Sequence, residues 1–254
     1  MICYSKALKF LQSIKMRKTL LFLLTVPVFI FYVGCVNHQR LTKEEAFPLM
    51  FEEQPHVIAV LPPINNTTAA EAGDYYATTI AEPLNQLGFY VIPVEILNDV
   101  LALEGLVDTE VFMDSSMRRF GEVFGADAVL FTEIQAWDKN YAVISSVLKV
   151  SIDARLKSTH TDEVLWSYNG TIVADLTGQG GSSGNLLADI LVSVIATAIN
   201  TAAADYVNYA RLANASMLHA MPFGRYRPEH LDDRETEIVF PPGVEPLNQN
   251  TVEN

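Results

Sequence analysis

Phe120-Gly121-Glu122-Val123-Phe124-Gly125-Ala126-Asp127-Ala128-Val129-Leu130-Phe131 changes period part-way along. Up to Phe124 the apolar residues keep helical spacing, with Met117, Phe120 and Phe124 on one face. Gly125 is expected to end the helix. From Ala126 the run is short, apolar and bounded, which predicts a buried strand starting directly after the helix. A helix feeding a strand is the unit from which α/β chains are built.

Upstream the same unit repeats. His56-Val57-Ile58-Ala59-Val60-Leu61, closed by Pro62-Pro63, reads as a buried parallel strand. Thr68-Ala69-Ala70-Glu71 has the form of a capping box and predicts a helix start. Tyr76, Ile80, Leu84 and Leu87 then share a face, Pro83 predicts a kink or break, and Gly88 predicts the end. Phe89-Tyr90-Val91-Ile92 is a second strand, and a weaker helix follows from Val94 to about Leu103. Asp114 or Ser115 is expected to cap the helix that leads into Gly125. Strand, helix, strand, helix, strand is the rhythm of a parallel sheet.

Downstream the pattern becomes two-sided. Ala142, Ile144, Leu148, Val150, Ile152, Ala154 and Leu156 alternate with mostly polar residues. Thr159-His160-Thr161-Asp162 reverses the chain, and Val164, Trp166, Tyr168, Ile172 and Ala174 alternate again. This predicts an antiparallel hairpin that continues the sheet. A glycine loop (Gly178, Gly180, Gly181, Gly184) precedes a long helix from Asn185 to about Met221. The fold class is therefore α/β: a mixed sheet with a parallel βαβαβ start, then an antiparallel hairpin, with a long C-terminal helix packed on it.

The first 34 residues have another purpose. Leu20 to Gly34 is apolar, too short for a comfortable span, and preceded by Met16-Arg17-Lys18. It ends in Gly34-Cys35, which resembles the lipobox of bacterial lipoproteins, although Tyr32 and Val33 depart from the usual pattern. Residues 1–34 are read as a lipoprotein signal peptide, with Met16 as the expected start of translation. Lipidation is assigned to Cys35. Two or more buried chains hold a protein stably where one is marginal. Val36 replaces the Asp that retains such proteins at the inner membrane, so the expected location is the outer membrane, periplasmic face. The remaining divisions are a lipid-anchored tether over 35–55 with at most one short helical turn near Lys43-Glu44-Glu45-Ala46, an α/β periplasmic domain over 56–221, and an acidic, Pro-containing disordered tail over 222–254.

Charge narrows the partners. The chain has 17 basic and 30 acidic residues. Lys6, Lys9, Lys15, Arg17 and Lys18 lie in the leader, which has no acid, so 12 bases face 30 acids after cleavage, a net charge of −18. Such a chain lacks the clustered cations that nucleic acid requires, and its membrane attachment must come from lipid rather than charge. Cys3 leaves with the leader, so Cys35 is the lone cysteine of the mature chain and no internal disulfide can form.

No catalytic, cofactor or metal grouping emerges. The glycine loop fits neither nucleotide fingerprint, and no serine sits in G-x-S-x-G. His160, Asp162 and Glu163 at a hairpin tip read as solvated turn chemistry. The helix after Asn185 is more informative, because Ile190, Ile195 and Ile199 widen its apolar stripe beyond one ordinary face. Its small residues permit close helix contact. Ile195, Ile199 and Ala202 are therefore the candidate residues for self-association or docking.

Gly125-Ala126-Asp127-Ala128-Val129-Leu130, entering a strand after a helix, resembles a motif of periplasmic lipoproteins of the CsgG, LpoB and TolB amino-terminal type. The order of elements before it also matches, and the resemblance covers roughly Val57 to Met221. The whole mature chain most resembles a family of outer-membrane lipoproteins of unknown function that share this fold. The resemblance implies an α/β sandwich, self-association or a place in an envelope assembly, and no enzyme activity. Gly125, Ala126 and Asp127 carry over as a helix-to-strand turn, not as a site. The expected function is that of a non-catalytic scaffold or accessory component of an outer-membrane secretion or envelope assembly. A CsgG-like pore lipoprotein is a candidate partner, and an LpoB-like regulator of a peptidoglycan synthase is the alternative.

Overall fold

A computed structural model describes residues 40–103, 105, 108–141, 146–175 and 206–239. In chain order the elements are β1 (Arg40–Thr42), α1 (Lys43–Ala46), α2 (Pro48–Glu53), β2 (Val57–Val60), β3 (Ile64–Asn65), α3 (Ala72–Gln86), β4 (Tyr90–Ile92) and α4 (Val94–Leu103). A 3-10 turn (Thr109–Phe112), α5 (Arg118–Phe124), β5 (Ala128–Tyr141), β6 (Ser146–Ser158), β7 (Val164–Asp175), α6 (Tyr206–Leu218) and β8 (Glu237–Val239) follow.

The main sheet runs β4-β2-β5-β6-β7, with β3 also on β5. β2 is parallel to both β4 and β5, while β5, β6 and β7 are antiparallel neighbours. The mixed α/β sheet expected from sequence is the one observed. β5 is where parallel pairing gives way to antiparallel, because Ala128–Leu130 pairs β2 on one side and β6 on the other.

β5 is longer than its sequence suggests. The strand expected near 126–131 continues to Tyr141. A bulge between Ile134 and Ala136 resets the alternation, so Ile134 and Trp137 are both buried in the same core. Strict period-2 reading loses the strand at that point.

Helices cover both faces. On one face Ile58, Val60, Leu130 and Leu156 pack with Tyr76, Ile80 and Leu84 of α3 and with Trp166. On the other, Ala59, Leu61, Val129 and Phe131 pack with Leu97, Leu101, Met117 and Phe120. β2 is buried along most of its length, as a central parallel strand must be.

Several local expectations need correction. The segment read as a tether is folded from Arg40 onward, and α1–α2 bury Ala46, Phe47, Met50 and Phe51. Its starting signal is a capping box at Thr42 and Glu45. The segment read as a disordered tail is folded up to Val239, where β8 pairs antiparallel with β1. Neither strand has a local partner, so neither was visible as a hairpin.

The Thr68–Glu71 capping box does not form. α3 starts at Ala72 with no side-chain cap, and Thr67 instead closes a turn with Asn65. α3 also runs past Pro83 to Gln86. The start of α5 is held not by Asp114 or Ser115 but by Asp162, whose carboxylate accepts the Met117 amide at 2.5 Å and the Ser116 hydroxyl at 2.7 Å. The expected helix from Asn185 to Met221 is represented by α6, which packs on α3. Its earlier part lies outside the described residues.

Candidate functional site

The two ends of the folded body are clasped together. Lys43 Nζ donates to Asp233 Oδ2 at 2.8 Å and to the Met221 carbonyl at 3.0 Å. The two side chains are 5% and 4% exposed. The same Asp233 oxygen accepts the Phe223 amide at 3.0 Å, while buried Oδ1 has no hydrogen-bond partner among the described residues. The Phe223 ring lies 4.4 Å from Lys43 Nζ and 4.2 Å from the Arg227 guanidinium carbon. Burial holds the Lys43 pKa below its usual value, and Asp233 opposes that shift without cancelling it.

Further bonds complete the clasp. Lys43 and Glu44 amides donate to the Thr236 and Arg234 carbonyls at 3.0 and 3.1 Å. Arg234 pairs with Glu44 and stacks over Phe51. Gly224 N–H donates to Leu87 O at 2.8 Å and Tyr226 N–H to Gly88 O at 2.9 Å, so the 221–239 segment also straps the end of α3. Gly88 has φ +94° and lies so near Gly224 and Arg227 that a β-carbon would meet their backbone within 2.7 Å.

The β6–β7 turn is a second polar centre. Ser158 and Thr161 hydroxyls donate to the Glu53 carboxylate at 2.6 and 2.8 Å, tying the turn to α2. Asp127 Oδ2 accepts the His56 and Val57 amides, each at 2.9 Å, fixing the start of β5 to the start of β2. His160 Nε2 is 3.6 Å from Asp127 Oδ1 and largely exposed. The Ser116 hydroxyl, then the Met117 amide, hold the Asp162 pKa below the usual carboxylate value. His160 and Asp162 thus serve turn geometry and capping, and no group of three potential metal-ligating side chains occurs among the described residues.

Two surfaces remain open. α4, the 3-10 turn and α5 enclose a groove of about 270 Å³ with largely apolar walls. Beyond Phe131 that face of the sheet becomes polar. Glu133 lies directly across from Asp153, and Gln135 Nε2 donates to both carboxylates at 3.1 and 3.0 Å. The lipidation candidate Cys35 and the interaction candidates Ile195, Ile199 and Ala202 lie outside the described residues. Sequence reasoning missed Lys43 and Asp233, and no local signal joins two residues so far apart.

A family model described as "Putative lipoprotein GNA1162-like" matches residues 48–225. The chain belongs to this family. Within the GNA1162-like family it is 27% identical over 144 residues to "Putative lipoprotein NMB1124/NMB1162" of Neisseria meningitidis serogroup B, covering 57% of this chain. It spans 66% of that relative's length, just under two thirds. The crystal structure of lipoprotein GNA1162 from Neisseria meningitidis is 26% identical, with a TM-score of 0.45 over 56% of this chain and 96% of that one. The LpoB C-terminal domain from Salmonella enterica is 19% identical, with a TM-score of 0.30 over 51% of this chain and 97% of that one. The expected resemblance to lipoproteins of unknown function is thereby established at the level of family.

Proposed function

We propose that this GNA1162-like protein is a non-catalytic scaffold or accessory component of an outer-membrane assembly, lipid-anchored at Cys35 on the periplasmic face. The carrying observation is how near Cys35 the described structure starts. Arg40 is already in β1, and Lys43 is clasped to Asp233. Five residue steps separate Arg40 from Cys35, a reach of about 17 Å at ~3.3–3.6 Å per extended residue. An anchor that short supports work against the bilayer. It speaks against the LpoB-like regulator reading, which requires a tether long enough to cross the wall.

Membership of a lipoprotein family supports the Cys35 assignment. The non-catalytic reading is supported by how polar side chains are spent. Ser158, Glu53, Asp127 and Asp162 are all engaged in holding turns and element ends. Protein contacts through Ile195, Ile199 and Ala202 complete the reading, with self-association or an envelope partner such as a CsgG-like pore lipoprotein.

Fractionation of cells expressing wild type and Cys35→Ser tests the anchor. Wild type should float with outer membranes and carry the mass of a diacylglyceryl-modified mature chain. The variant should leave that fraction or remain unprocessed. Unchanged fractionation and mass would refute lipidation at Cys35. Light scattering of wild type, Ile195→Lys and Ile199→Lys tests the contact surface, and a monomeric wild type with no recoverable partner would remove it.

A further inference from the structure

β7 is an outer strand of the main sheet, and its edge is built differently from the one at β4. It spans 12 residues, Val164–Asp175, and pairs with β6 alone among the described residues. The β4 edge has 3 residues and is closed by Pro93. From Trp166 to Asp175 the register against β6 is unbroken, so the outward amide and carbonyl groups form a continuous row. No backbone hydrogen bond from another described element reaches that row.

Open sheet edges are usually protected by Lys, Pro or a bulge. Val164 to Ala174 has no Pro and no charged residue, in a chain where 19% of residues are charged. Acids outnumber bases by 30 to 17, so two copies repel one another wherever their acidic surfaces meet. A neutral edge lets a second copy approach without that cost, whereas a cationic partner would seek the acids instead.

The strand also complements itself. Tyr168, Gly170 and Ile172 lie across from Ala154, Ile152 and Val150 and share the core side, where Tyr168 and Ile172 are only partly buried. Asn169 and Thr171 lie on the other side and are exposed. Turning a second β7 about a twofold axis at Gly170 sets Tyr168 against the copy's Ile172, and Asn169 against its Thr171. The first is an aromatic–β-branched pair and the second joins a carboxamide to a hydroxyl, both favourable across strands. At the axis glycine faces glycine, and the room a side chain would need is held by the Tyr168 rings.

We infer that β7 pairs antiparallel with the β7 of a second copy, merging two main sheets across a twofold axis. This deepens the self-association reading and rests on it, but it places the contact on the sheet edge rather than on Ile195, Ile199 and Ala202.

The test co-expresses two full-length chains with different tags, Asn169→Cys in one and Thr171→Cys in the other, and oxidises isolated membranes mildly. Mixed disulfide dimers should exceed those from Asn169→Cys with wild type, a pairing that also controls for any thiol at Cys35. Asn169→Lys keeps a partner for Asp153, to which Asn169 donates, yet sets two cations beside the axis. It should weaken the dimer roughly tenfold in light scattering of detergent-extracted protein. Mixing it with Thr171→Glu, which sets opposite charges across the axis, should restore mixed dimers, a rescue that unfolding could not give. Circular dichroism of each variant reports folding. A dimer that neither cross-links at 169 and 171 nor weakens with Asn169→Lys would overturn the β7 contact alone. A monomeric wild type would overturn it together with self-association, and cross-links from residue 169 to a different protein would overturn the second copy as the occupant.

Discussion

Lys43 and Asp233 are 190 positions apart in sequence, yet their charged groups meet at 2.8 Å in a site almost closed to water. The pair joins the first described residues to the last described segment of the chain. Lys43 is therefore held by contacts with the 221–239 segment as well as by local ones.

Lys43→Met should destabilise the protein by about 3–5 kcal/mol, because the Asp233 carboxylate would stay buried without its counter-charge. The double variant Lys43→Met, Asp233→Leu should recover much of that loss. Urea denaturation of the three proteins measures both effects. A single variant within about 1 kcal/mol of wild type would show that the site admits water and that the pair is incidental.

Gly88 and Gly125 both hold positive φ, at +94° and +66°, but in different surroundings. Nothing lies within 4 Å of a β-carbon at Gly125, so Gly125→Ala should cost only the left-handed backbone penalty of about 1–2 kcal/mol. Gly88→Ala adds a clash with the Arg227 and Gly224 backbone and should exceed about 3 kcal/mol. Equal shifts in thermal unfolding would mean that the strap around residue 224 yields easily.

Asp162 gives acid unfolding a specific component. Its folded pKa lies below the usual value because Ser116 and Met117 donate to the charged form. Its contribution to stability is complete above the unfolded pKa of roughly 3.9 and is lost as pH falls through the lower folded value. Asp162→Asn should be less stable than wild type at neutral pH, with the difference closing as pH drops below about 4. A pH-independent difference between the two unfolding profiles would assign the effect to geometry alone.

Tyr76 and Thr132 join α3 to β5 through a buried hydroxyl contact of 2.7 Å, and burial raises the Tyr76 pKa. Tyr76→Phe or Thr132→Val alone strands the other hydroxyl and should cost about 1–3 kcal/mol. The double variant should cost less than the two losses added together. Strict additivity in guanidinium titrations would show that the hydroxyls are not coupled.

Much of the strand and helix pattern was readable because its causes are local. Gly125, the α4 boundaries and the alternation of β6 and β7 all follow from spacing within a few residues. Errors came where a local signal lost to a distant partner. Thr68-Ala69-Ala70-Glu71 has the form of a capping box, but Thr67 turns toward Asn65 and Ala69 instead. Asp114 and Ser115 had the right chemistry for α5, but Asp162 supplies the cap from 45 residues away. The groove was equally hidden, because its walls come from three separate elements and Phe112 and Phe120 are neighbours only in space.

By itself the sequence determined the class of fold and the acidic balance, since these depend on composition and short-range periodicity. Tertiary structure alone decided how the first and last described segments meet. β1 and β8 are three residues each, too short to register as strands without one another, and Lys43 and Asp233 look like ordinary solvated charges until they meet. Pairing energy between remote segments is invisible to any local window. That pairing brings Arg40–Thr42 of the expected tether and Glu237–Val239 of the expected tail together in one small sheet.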